Sequence, residues 1–203
     1  MNSLLTIKFK GEGNYQIKGS KYYGFAYPIV NSNQVKFHLQ NLKKEFLDAS
    51  HICYAYRLLN NNNIDEFSTD AGEPRGSAGL PILNVLKSKQ IINTAIFIVR
   101  YFGGSKLGIP GLIKSYSNAT HNTLHKIILV NYVALSKIDI SFEMKYNSRI
   151  EALIQEFNGI AIHKEFFSDV IFSISVPTDK KDIFLDKAYE ITNGNIKIIK
   201  NSF

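Results

Sequence analysis

The stretch "TAIFIVRYFGGSKLGIPGLIKSY", Thr94 to Tyr116, constrains the fold more than any other. An apolar run, TAIFIVRY, reads as a buried strand. Gly103-Gly104 then turns the chain, and a helix begins around Gly108 to Gly111. Leu112, Tyr116, Ala119, Thr123 and Ile127 recur at helical spacing and define a long amphipathic helix. A buried strand delivered through a tight turn into such a helix requires sheet and helix to pack as layers.

The rest of the chain agrees with that class. Of 203 residues, 45% are hydrophobic and 20% charged, which is globular composition. No apolar run approaches the ~20 residues of a membrane span. The opening residues, MNSLLTIKFK, lack a charged segment followed by a long apolar one, which argues against a secretory leader. Cys53 is the only cysteine, so no internal disulfide forms, and a reducing, cytoplasmic setting is expected.

Periodicity divides the chain at Leu129/Val130 into a domain over residues 1–129 and another over 130–203. In the second, Ile138, Ile140, Phe142 and Met144 alternate with polar residues as a half-buried strand. Tyr146, Ile150, Leu153, Ile154 and Phe157 follow at helical spacing, with Gly159 as a stop. IAIHKEF and DVIFSISV form two strands around Ser168-Asp169. Pro177-Thr178-Asp179 opens a helix with Ile183, Phe184, Ala188 and Ile191 inward, and NIKIIK closes the domain. The order is βαββαβ, the ferredoxin-like arrangement. Its third strand offers only Phe172 for base stacking, unlike an RNA-recognition motif, so this domain reads as a protein-contacting or structural module.

In the first domain, NYQIKG and KYYGFAYPIV are two strands around Gly19-Ser20. Asn31 and Gln34 cap a helix carrying Val35, Leu39, Leu42 and Phe46. HICYAYRLL and IDEFST pair as a hairpin across a turn at Asn60–Asn63, and PILNVLK is helical. The reading is one α+β domain with helices on one face of a sheet. It holds 15 Lys and Arg against 7 Asp and Glu, a formal +8, whereas the second holds 9 against 10, a formal −1. Attraction to a polyanion therefore belongs to the first domain.

Two stretches there share a design, "STDAGEPRGSAGLPIL" (Ser68–Leu83) and the opening one. Each ends a strand, passes through glycines and starts a helix. A helix start has unpaired N–H groups and a partial positive charge, and glycine lets a ligand approach. Arg75, Gly76 and Ser77 in the first stretch, and Arg100, Gly103, Gly104, Lys106, Gly108 and Lys114 in the second, are the candidate anion contacts. The structural alternative is that these glycines serve tight turns and close packing. Neither stretch is a P-loop or a dinucleotide fingerprint. Asp70 and Glu73 are candidates for acid–base work, or else cap a helix or pair with Arg75. His51 and Cys53 share a face of one strand. His121 and His125 lack further ligands, so no metal or cofactor is expected.

"FSTDAGEPRGSAGLPIL" and "VRYFGGSKLG", about 30 residues apart, resemble the paired signatures of the IMPACT family, also called the YigZ family. "IKGSKYYGFAYPI" and "DASHICYAYRL" resemble its opening strands. The sequence departs from the family at Arg75, where a small residue is usual, at Ser77, where threonine is usual, and at Ile109-Pro110. The resemblance implies a ribosomal-protein-S5-domain-2-like domain followed by a ferredoxin-like domain similar to the last domain of elongation factor G. It also implies a link to translational control. In eukaryotic members that link uses an additional N-terminal domain, for which this chain is expected to have no room. The resemblance supplies no agreed catalytic residues.

The functional expectation is a cytoplasmic, non-enzymatic regulator that binds RNA or the ribosome. Two alternatives stand beside it. One is an enzyme for a small phosphorylated or carboxylated substrate, using Asp70, Glu73 and His51. The other is a protein-interaction module acting through the C-terminal sheet. No membrane partner is expected.

Overall fold

The apolar run Thr94–Tyr101 is the middle strand of a five-stranded antiparallel sheet, and it is buried along seven of its eight residues. The computed structural model describes residues 3–60 and 63–199. Asn61 and Asn62, in the expected hairpin turn, lie outside that range. Residues 1–132 and 133–203 form two units.

The first unit contains β1 (Leu5–Ile7), β2 (Gly11–Ile17), β3 (Ser20–Pro28), α1 (Ser32–Glu45), β4 (His51–Asn60), β5 (Asn63–Thr69), α2 (Gly79–Ser88), β6 (Thr94–Tyr101), α3 (Gly108–His125) and β7 (Leu129–Asn131). The large sheet runs β2-β3-β6-β4-β5, and β1 pairs with β7 as a separate ribbon. Neither short ribbon strand has enough residues to show a period, so the sequence reading passed over both.

The large sheet is covered on both faces, which corrects the expectation of helices on one. Ile96 and Ile98 of β6 pack with Cys53, Ala55, Ile82, Leu86, Leu112 and Tyr116 under α2 and α3. Ala95, Phe97 and Val99 pack on the opposite face with Val35 and Leu42 of α1. The cause is visible in the run itself. An amphipathic strand alternates, whereas an unbroken apolar strand must be buried on both sides.

The α1 start follows the sequence closely. Asn31 Oδ1 accepts the Gln34 N–H (3.1 Å), and Gln34 Oε1 accepts the Val30 N–H (2.8 Å). Two otherwise orphaned donors are thereby satisfied.

The second unit contains β8 (Leu135–Glu143), α4 (Asn147–Glu156), β9 (Ile160–Phe166), β10 (Asp169–Pro177), α5 (Lys181–Ile191) and β11 (Lys197–Ile199). Its antiparallel sheet runs β11-β8-β10-β9, the ferredoxin-like order. Ile140, Phe142, Phe172 and Ile174 meet Ile150, Leu153, Phe184 and Ala188 in one core. Two expected core residues lie outside it. Met144 has left the strand for a 3₁₀ turn, and Ile183 is 56% exposed while Leu185 packs instead. Phe172 is fully buried, so it offers no stacking surface.

Candidate functional site

One end of the α2/α3 face holds a buried polar cluster built on β4, β6, α3 and the loop before α2. Arg100 falls on the same side of β6 as Ile96 and Ile98, so the strand carries its side chain under the helices. Arg100 Nη1 donates to Glu73 Oε1 at 2.5 Å. Tyr116 Oη of α3 donates to the same oxygen at 2.7 Å. The Arg100 and Glu73 side chains are 6% and 3% exposed, so the pair is withdrawn from water. Burial alone would lower the Arg100 pKa, but the bond to Glu73 and its charge raise it above the ordinary value.

The loop itself is organised by Asp70. Its Oδ1 accepts the N–H groups of Ala78 (2.9 Å) and Gly79 (2.8 Å), and its Oδ2 accepts that of Gly76 (2.8 Å). Burial pushes the Asp70 pKa up, but the three N–H donors outweigh it and hold the carboxyl below its ordinary value. The chain reverses just after Asp70. Glu73 N–H bonds the Asp70 carbonyl at 2.9 Å, with Ala71 at φ 45° and Gly72 at φ 91°. His51 Nδ1 lies 2.9 Å from the Ala71 carbonyl, which can only accept. In the neutral ring the proton therefore sits on Nδ1, and Nε2 is the acceptor.

Cys53 completes the cluster as an inert thiol. Its Sγ lies 2.9 Å from the Asp70 carbonyl and 3.3 Å from Tyr116 Oη. Burial pushes its pKa up to about 12. It makes no hydrogen bond to His51, so the two are not a nucleophile and its base. The hydroxyl of Tyr116 is likewise driven upward by burial, so it acts as a neutral donor.

The two glycine-rich stretches meet. Glu73 and Pro74 of the first, with Arg100, Phe102, Lys106 to Ile109 and Leu112 of the second, line a cavity of about 250 Å³. The two helix starts differ there. At α2 the amide of Gly76 is taken by Asp70, and both Oγ and N–H of Ser77 are bonded to the Pro74 carbonyl. Of the positions read as anion contacts in that stretch, Gly76 and Ser77 are thus satisfied inside the protein, whereas Arg75 is not. At α3, among the described residues, neither Leu107 at the cap nor any other side chain bonds the first amides of the helix. Lys106 stands beside it, on the cavity wall.

The other anticipated contacts fall into four groups. Arg75, Lys106 and Lys114 are exposed and form no ion pair among the described residues. Arg100 is the buried partner of Glu73, not a surface cation. Gly103 is a packing residue, because a Cβ there would stand 1.9 Å from the backbone carbon of Gly19. Its N–H is held by Ser20 Oγ at 3.1 Å. Gly104 and Gly108 have positive φ, 85° and 69°. Structural demands thus account for much of the glycine content of the second stretch.

Asp70, Glu73 and His51 are neighbours through the loop backbone, yet only Glu73 lines the cavity. The sequence reading missed Tyr22 and Tyr116 as site residues. Tyr22 is fully buried, with Arg100 5.6 Å from its ring centre. Tyr116 reads as the apolar face of a helix and Tyr22 as part of a strand, because periodicity reports which way a ring points and not what its hydroxyl meets. No group of three or more metal-ligating side chains occurs among the described residues. Among them, too, no helix is long and apolar enough to cross a membrane.

The cluster sits inside the segment that decides the family: residues 18–124 match the Impact N-terminal domain. The chain belongs to the IMPACT family. It is 29% identical over 198 residues to IMPACT family member YvyE of Bacillus subtilis (strain 168), covering 98% of this chain and 91% of that protein. It is 25% identical over 185 residues to IMPACT family member YigZ of Escherichia coli (strain K12), covering 91% of each. A solved structure described as that of an hypothetical protein superposes with a TM-score of 0.70 over 100% of this chain and 98% of the other, at 24% identity. That likeness shows the α+β fold along the whole length.

Proposed function

We propose that this IMPACT protein is a cytoplasmic, translation-linked regulator that binds RNA or the ribosome through its N-terminal domain, without catalysis. The observation that carries the reading is the unequal state of the two helix starts. The α2 start is filled by Asp70. The α3 start is uncapped, with Lys106 beside it and with Arg75 and Lys114 exposed and unpaired among the described residues. Uncommitted amides and cations together suit a phosphate, and phosphate contacts give affinity without reading sequence. The formal +8 of residues 1–129 supports the same partner. The near-neutral ferredoxin-like unit fits a protein contact.

The enzyme reading needs Asp70, Glu73 and His51 around one substrate. Asp70 has both oxygens bonded to loop amides, Glu73 is locked to Arg100 and Tyr116, and the cavity reaches only Glu73. That arrangement supports a rigid binding wall over an acid–base pair.

Co-sedimentation with ribosomes and filter binding to RNA, each over a salt series, test the proposal. Association that weakens steeply with salt is the expected result. Absence of any salt-sensitive association in both assays refutes it.

A further inference from the structure

The cavity at the α3 start is shaped for something less charged than phosphate. Pro74, Phe102, Leu107, Ile109 and Leu112 give it apolar walls, and the Glu73–Arg100 pair lies on its polar side. A phosphate inside would lose its water against apolar surface and face the Glu73 carboxylate, so it belongs at the mouth. Arg100 is 5% exposed, and its Nε has no hydrogen-bond partner. Tyr22 Oη, fully buried near the same guanidinium, also has none. These two groups are neighbours and both are sealed from the cavity, so its polar side is the Glu73–Arg100 pair itself. Phe102 is 50% exposed, with the Arg100 guanidinium 5.6 Å from its ring centre.

We infer that this cavity receives a single unpaired RNA base. The inference rests on the RNA-binding reading above and names the form of RNA that this site takes. A base is flat and apolar on its faces, which suits Phe102, Pro74 and Ile109. Its polar edge then lies toward the Glu73–Arg100 pair, the polar side of the cavity. The attached phosphate then meets Lys106 and the uncapped amides of α3. Lys106 on the cavity wall, with no ion pair among the described residues, is complementary to the nucleic-acid backbone. A base inside a duplex is stacked and paired, so only single-stranded RNA, or a loop or end, can deliver one.

Fluorescence anisotropy on the full chain tests this at one fixed salt, with a short mixed-sequence single-stranded RNA and its annealed duplex as probes. The single strand is expected to bind more tightly than the duplex. Phe102→Ala removes the stacking surface, and Ile109→Trp fills the cavity from an exposed position without changing charge. Each is expected to weaken single-strand binding about ten-fold and to leave duplex binding unchanged. Phe102→Tyr keeps the ring and should retain affinity. Equal affinity for the two probes, or single-strand binding that ignores both variants, overturns the base pocket. If that binding remains salt-sensitive, the phosphate reading survives alone. If the wild-type chain binds neither probe, both readings fall.

Discussion

Removing the Glu73 carboxylate would leave the Arg100 guanidinium charged, buried and without its partner. Breaking a buried pair on one side costs about 3–5 kcal/mol, because the remaining charge keeps its desolvation penalty. Glu73→Ala is therefore expected to lower the urea midpoint sharply, whereas Glu73→Ala combined with Arg100→Met should recover most of the loss. A double-mutant cycle measures the coupling directly. Asp70 makes a different prediction, in pH. Its folded pKa lies below the ordinary 3.8, so the unfolded chain takes up the proton first as acid is added. The stability it contributes is full above about pH 4 and is lost as pH falls through the depressed folded value. Asp70→Asn should be less stable than wild type near neutral pH. The gap should close in acid, as read by urea titrations at a series of pH values. A gap that widens in acid would contradict the assigned role of the three loop amides.

At the scale of elements, the turn between β6 and α3 shows how packing, rather than ligand binding, dictates sequence. A Cβ on Gly103 would stand 2.1 Å from Ser20 N as well as against Gly19, both of them backbone. Gly103→Ala must push the β2–β3 turn away from the β6–α3 turn. Overpacking of this kind costs about 1–3 kcal/mol, measurable as a lowered thermal midpoint. The α1 cap, the continuous burial of β6 and the whole βαββαβ order were legible because each is local, written in spacing within one element. Arg100 was half legible. Its place after Ile96 and Ile98 at two-residue spacing marks the buried side of the strand, and only its charge suggested a surface. The Glu73–Tyr116 bond was not legible, since 43 residues separate its partners and neither belongs to a motif that names the other. Ile183 misled for a geometric reason, because its neighbours Phe184 and Leu185 face the core and leave it outside.

Over the whole molecule, charge separates along the same line as structure. All of the excess positive charge precedes Tyr132, where the first unit ends, and the ferredoxin-like unit is close to neutral. Under the proposed RNA-binding function, long-range attraction to the polyanion would orient the chain with its N-terminal unit leading, and local contacts would decide what is held. Arg75, Lys106 and Lys114 are the proposed local contacts that can be removed cheaply, being exposed and outside every ion pair among the described residues. The variant Arg75→Ala, Lys106→Ala, Lys114→Ala should fold with an unchanged thermal midpoint. Each lost phosphate contact lowers the slope of log affinity against log salt by about 0.7 on a single strand, so the triple variant should lose about 2 from that slope. An unchanged slope with weaker binding would mean that these cations act by shaping the surface and that phosphate is met elsewhere on the N-terminal unit. A slope reduced in proportion to the number of cations removed would place the backbone of the nucleic acid along the α3 start.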